Sequence, residues 1–112
     1  MKLSTALSTT LQFLVISPAL AGLETFGVIT PQGTLGYAIT VDNNGTTCNS
    51  NWGWRIDQDD HYSLECLPGY VYAFTLNGAT SWYSNGVLSW ELQQATQTDG
   101  SGADWWDTKN FF

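Results

Sequence analysis

The segment from Gly69 to Ala95 constrains the fold more than any other part of the chain. It reads as "GYVYAFTL", Asn77-Gly78, "ATSWYS", Asn85-Gly86, "VLSWELQQA". Apolar and polar residues alternate with a period of two, which places successive side chains on opposite sides of a strand. Asn-Gly supplies the left-handed backbone that tight hairpin connections need. Residues 69–95 are therefore expected to form a three-stranded antiparallel meander, with Leu88, Trp90 and Leu92 on the buried face of its last strand. Val87, Ser89, Glu91 and Gln93 then point outward.

The same pattern runs through the rest of the chain, and no long apolar stripe at helical spacing interrupts it. "ETFGVIT" is a first strand, stopped by Pro31-Gln32-Gly33. "TLGYAITVD" is a second, with Tyr37, Ile39 and Val41 sharing a face, and Asp42-Asn43-Asn44-Gly45 is a turn. "NWGWRID" and "HYSLEC" form a pair joined by Gln58-Asp59-Asp60. Trp52, Trp54 and Ile56 face the same way on the first, and Tyr62, Leu64 and Cys66 point inward on the second. "TQTDGSGAD" is a polar connection, and "WWDTKNFF" closes the sheet. About eight short antiparallel strands without a helix predict an all-β domain, a small β-sandwich or barrel.

Residues 1–21 have the form of a signal peptide: Lys2, the apolar "LQFLVIS", and a small-x-small ending at Ala19-Leu20-Ala21. The expected product is a single secreted domain, residues 22–112, with no later stretch approaching the ~20 apolar residues of a membrane span. A domain of this size is near the limit at which one core suffices. Its two cysteines, in an oxidising compartment, predict one disulfide, Cys48–Cys66.

From Gly22 onward, two basic residues, Arg55 and Lys109, stand against ten carboxylates, a formal charge of −8. Nucleic-acid affinity depends on basic groups that displace counterions from phosphates, so nucleic acid and anionic membrane are not expected partners. The Asp57–His61 turn has oxygen and nitrogen donors at alternate positions. A calcium loop needs glycine at its sixth position and glutamate at its twelfth; counting from Asp57, Tyr62 and Pro68 stand there. A looser calcium site on Asp57, Asp59 and Asp60 is the weaker alternative to a solvated acidic turn, and one histidine cannot build a zinc site. No metal or cofactor is expected.

His61 is the only imidazole, and no serine lies in a Gly-x-Ser-x-Gly elbow. Outward-pointing His61, Glu65 and Arg55 resemble the acid, base and phosphate contacts of a small ribonuclease. Glycoside hydrolysis would need a carboxylate pair, for which Glu65 and Glu91 are the only outward strand glutamates. Solvated strand faces account for all of these residues, and the chain is expected not to be an enzyme.

Aromatic content is the compositional outlier, with six tryptophans and five tyrosines. Alternation assigns Trp52, Trp54, Tyr70, Tyr72, Phe74 and Trp90 to the core. Trp82 and Tyr83 are adjacent, as are Trp105 and Trp106, and neighbours in a strand face opposite ways. These four are the candidate binding residues, with at least one of each pair at the surface. Exposed rings beside Asn, Gln, Ser and Asp suit carbohydrate faces and protein partners alike. Asn44-Gly45-Thr46 is an N-glycosylation acceptor sequence in a predicted turn.

A short signal peptide followed by one acidic, aromatic-rich, cysteine-poor β domain resembles the small secreted proteins of filamentous fungi, many of them effector candidates. The resemblance covers overall organisation. It implies a non-catalytic β-sandwich that acts as a monomer by binding a host or extracellular protein, or a cell-wall glycan.

Overall fold

A computed structural model describes residues 22–110, so the signal-peptide expectation for residues 1–21 lies outside the described residues, as do Phe111 and Phe112. Ten strands follow in order: β1 Leu23–Ile29, β2 Leu35–Asp42, β3 Gly45–Asn49, β4 Trp54–Ile56, β5 His61–Leu64, β6 Val71–Thr75, β7 Thr80–Ser84, β8 Ser89–Gln93, β9 Gln97–Thr98 and β10 Asp104–Asn110. They build two five-stranded antiparallel sheets, ordered β3-β2-β1-β10-β9 and β4-β5-β6-β7-β8. The architecture is thus a sandwich rather than a barrel. It has two strands more than the pattern indicates, β3 and the two-residue β9.

The expected meander is present as β6-β7-β8. Its connections are longer than two-residue turns, because pairing stops at Ser84↔Ser89 and at Phe74↔Ser81. The two-residue hairpin lies instead between β2 and β3, where Asn43 and Asn44 adopt φ 51 and 66 and Asp42 pairs with Gly45. Asparagine tolerates this left-handed backbone better than most residues.

The disulfide Cys48–Cys66 joins β3 of the first sheet to the segment after β5 in the second. It therefore fastens one edge of the sandwich and does not merely close a hairpin. Between the two sheets the chain makes a 3-10 turn, Ser50–Trp52, capped by the Asn49 side chain, which accepts a hydrogen bond from Asn51 N at 2.8 Å. Gly53 then crosses to β4 at φ 133, a conformation that side chains resist.

Both sheets contribute to one core, in which Tyr62, Tyr72, Phe74, Tyr83 and Trp106 are almost fully shielded. Trp106 lies at its centre, edge-on to Phe74 with ring centroids 5.1 Å apart. Its indole fits because Gly27 faces it directly across β1 and Gly78 lines another side. A Cβ at Gly27 would stand 2.1 Å from the ring, and one at Gly78 2.4 Å.

Polar side chains share this interior, and Thr25, Thr40, Thr47 and Gln94 each have a partner there, whereas the buried Ser81 hydroxyl has none in hydrogen-bond geometry among the described residues. Gln94 Oε1 accepts from Thr25 Oγ1 at 3.0 Å and from Tyr72 OH at 2.5 Å, and Gln94 Nε2 donates to the Gly78 carbonyl. Trp106 Nε1 donates to the Tyr72 hydroxyl at 3.2 Å. Near the disulfide, Tyr83 OH donates to Asp42 Oδ2 at 2.8 Å. The Thr47 hydroxyl donates to Tyr83, and Thr40 to Thr47. Burial, aided by the Asp42 carboxylate, holds the Tyr83 phenol above its ordinary pKa, so it remains a donor. These networks turn Thr25, Thr40 and Thr47 inward and leave Phe26, Val28, Tyr37, Ile39 and Val41 on the half-buried outer face of the first sheet.

Two sequence expectations are corrected here. Trp52 and Trp54, assigned to the core by alternation, are 47% and 45% exposed, and Ile56 is exposed beside them. Trp54 does turn toward the inner side, with its ring edge-on to Tyr62 at 5.5 Å. However, β4 is the outermost strand of its sheet, so the core covers it only in part, and Trp52 lies in the 3-10 turn before it. Leu88 is likewise exposed, because it belongs to the β7–β8 connection and not to β8, whereas Leu92 is buried and Trp90 packs half-buried against the core.

Candidate functional site

Adjacent aromatics separate as their positions require. Tyr83 and Trp106 are core residues at 1% and 0% exposure, which removes them from the candidate binding residues. Trp82 and Trp105 remain partly exposed, on the outer faces of different sheets. The four candidates therefore do not form one cluster, and the sandwich separates the two that reach solvent.

The pairing register builds the outer face of the second sheet row by row. Its central row reads Arg55, Ser63, Ala73, Trp82, Glu91 across β4 to β8. To one side lie His61 and Thr75, and to the other Val71, Ser84 and Ser89. Ala73 is small enough for the rings of His61, on β5, and Trp82, on β7, to meet above β6. They stack with centroids 4.4 Å apart and planes inclined by 27°. The stack fixes one face of the indole. On its other side is an open hollow of about 420 Å³ lined by Val71, Trp82, Ser84, Ser89 and Glu91 together with the inward-facing Tyr83 and Trp90. The concavity is thus mostly apolar and is bordered by two serines and a glutamate, the usual composition of a recognition site.

Comparison with protein families, curated proteins and solved structures returned no match.

The acidic turn is ordered from within. Asp57 Oδ1 accepts from the backbone N–H groups of Asp59 and His61 at 2.9 and 3.0 Å, and Asp57 Oδ2 lies 3.9 Å from His61 Nδ1. The hydrogen bond from the His61 N–H, more than any other contact, holds the Asp57 carboxyl below its ordinary pKa. Asp57, Asp59 and His61, rather than Asp60, bring donor atoms within 4.8 Å of one another. Each would offer a metal one ligand atom, and Asp60 instead occupies a left-handed turn position at φ 61.

The groupings considered for catalysis are spread apart. Arg55 pairs with Ser63, midway between His61 and Glu65, but those two are four residues, about 13 Å, apart along an extended strand. Glu65 and Glu91 have β6 and β7 between them, about 14 Å at the usual strand spacing and beyond the reach of a glycosidase pair. Asn44 is exposed at the β2–β3 tip, open to a modifying enzyme. Among the described residues no helix is long and apolar enough to cross a membrane.

Two features escaped the sequence reading. The His61–Trp82 stack depends on the register between β5 and β6, which no turn motif announces. The exposure of Trp54 and Ile56 follows from the edge position of β4, and that of Trp52 from the 3-10 turn; alternation reports neither.

Proposed function

We propose that this chain is a secreted, effector-like binding protein without catalytic activity, which engages a host or extracellular partner through the outer face of its second sheet. The observation that carries the reading is the Trp82 indole, held on one side by His61 and bordered on the other by an open hollow. A ring fixed in advance loses little freedom on binding, and such rings are the usual anchors of interfaces. Secretion is supported by the disulfide, which requires an oxidising compartment. A second reading, a module for cell-wall glycan, draws on Ser84 and Ser89, which line the same hollow as the ring and carry hydroxyls that suit a sugar.

Trp82→Ala tests both. Retention on insoluble chitin, glucan and cellulose, and capture of partners from host extract, are compared with wild type while thermal unfolding is monitored. The substitution is expected to weaken binding by about 2 kcal/mol, roughly thirtyfold, and to leave unfolding cooperative. A folded Trp82→Ala variant that binds every target as well as wild type would place the function elsewhere on the molecule.

A further inference from the structure

The hollow beside Trp82 has a chemical bias of its own. Glu91 stands directly opposite Trp82 on β8, an edge strand, and lines the same concavity as Trp82. Among the described residues the one ion pair is His61–Asp57, so no basic side chain lies within 4 Å of Glu91. Arg55 shares its row but lies four strand spacings away, about 19 Å. Lys109 is on β10, in the other sheet. The hollow thus combines aromatic residues, a glutamate with no basic neighbour, two serines and the exposed Val71, in a domain of strongly negative charge.

Resting on the binding reading above, we infer that this hollow receives a basic side chain, arginine above all, from a cationic segment of a partner protein. The guanidinium stacks on the indole face that His61 leaves open, where the ring quadrupole attracts a cation. Its N–H groups reach Glu91 and the hydroxyls of Ser84 and Ser89, and its aliphatic stem packs on Val71. A neutral sugar would satisfy the ring and hydroxyls but would leave Glu91 partly desolvated without a counter-charge, an unfavourable outcome for a carboxylate. The acidic surface also steers a basic partner toward the site at low ionic strength.

The test uses the ¹⁵N-labelled domain and follows the Trp82 indole N–H resonance, assigned with Trp82→Phe. The probes are acetyl-Gly-Arg-Gly-amide, the same peptide with neutral citrulline in place of arginine, a cello-oligosaccharide and a chito-oligosaccharide. The arginine peptide is expected to shift the Trp82 signal with millimolar affinity, and the citrulline peptide to bind about tenfold more weakly. Glu91→Gln, a change on an exposed edge strand, should lower affinity for the arginine peptide about five- to tenfold and leave citrulline binding unchanged. Equal binding of the two peptides, an unaffected Glu91→Gln variant, or no shift with arginine into the tens of millimolar would overturn the assignment. If only a sugar moves the Trp82 signal, the cationic assignment falls while the hollow stands as a binding site. If Trp82→Ala binds its partners normally yet arginine shifts Trp82, the broader reading falls instead.

Discussion

Gly27 offers the sharpest test of how this core is assembled. A Cβ added there would lie 2.1, 2.4 and 2.7 Å from Cζ2, Cη2 and Cε2 of Trp106. Carbon atoms in contact sit about 3.5–4.0 Å apart, so the ring would have to move by roughly 1.5 Å. Phe74 and Gly78 border the ring, and moving it would break the 3.2 Å bond from Nε1 to Tyr72. Overpacking a tight core costs about 1–3 kcal/mol, and loss of a buried hydrogen bond adds to that. Gly27→Ala is therefore expected to cost about 3 kcal/mol or more, lowering Tm by roughly 12–24 °C in a domain of this length. Urea and thermal unfolding, followed by tryptophan fluorescence, measure it. Gly100→Ala is the control: it meets nothing within 4 Å and should stay within about 0.5 kcal/mol of wild type. Trp106→Phe removes the outer ring that the new methyl strikes, so on that background Gly27→Ala should cost at least about 1 kcal/mol less. A loss below about 1 kcal/mol for Gly27→Ala, or additivity with Trp106→Phe, would show that the core does not close on the indole in this way.

Replacing both Cys48 and Cys66 with alanine should cost about 3 kcal/mol for a separation of 18 residues, measured by denaturant unfolding. The Asp107 carboxyl that hydrogen-bonds Glu24, with burial second, raises the Glu24 pKa above the ordinary glutamate value. The folded chain therefore binds this proton more tightly than the unfolded chain. The resulting penalty is absent below the ordinary value and full above the raised one. Glu24→Gln should thus raise Tm at neutral pH, with the gain vanishing in acid. Asp57 has the opposite sign, because its lowered carboxyl stabilises above the ordinary aspartate value of 3.8 and loses that contribution as pH falls through its lower folded value. Asp57→Ala should narrow its stability gap from wild type over that acidic range. Expression through a eukaryotic secretory route should give a glycan at Asn44, seen as a mass increase that Thr46→Ala abolishes without disturbing the left-handed Asn44.

The meander was readable because alternation and turn chemistry act locally: Tyr72, Phe74 and Leu92 are buried where their spacing places them. The first sheet was less readable because its interior is partly polar. In β1 the larger Phe26 and Val28 face outward while Thr25 and Gly27 face inward, one to bond Gln94 and the other to make room for Trp106. Those reasons lie 69 and 79 residues away in the chain. β3 escaped for a similar reason, since its inward Thr47 is polar and finds Tyr83 only after the sheets meet. Which ring of each adjacent pair is buried followed from the same distant partners.

The division within "SWYS" links the core to the proposed site. Tyr83 points inward and is tied across the sandwich to Asp42 and Thr47, while Trp82, its immediate neighbour, points outward against His61. The strand that presents the indole is thus anchored from behind by hydrogen bonds to the opposite sheet, beside the disulfide that holds the two sheets together. Rotation of Trp82 requires either breaking its stack or twisting β7 against those bonds. Orientation of the anchor is therefore established during folding, so binding need not order it again, and affinity can rest on a few contacts at one ring. Tyr83→Phe separates these roles: it removes the cross-sandwich bond, leaves the outer face chemically unchanged, and should weaken binding only as far as it loosens Trp82.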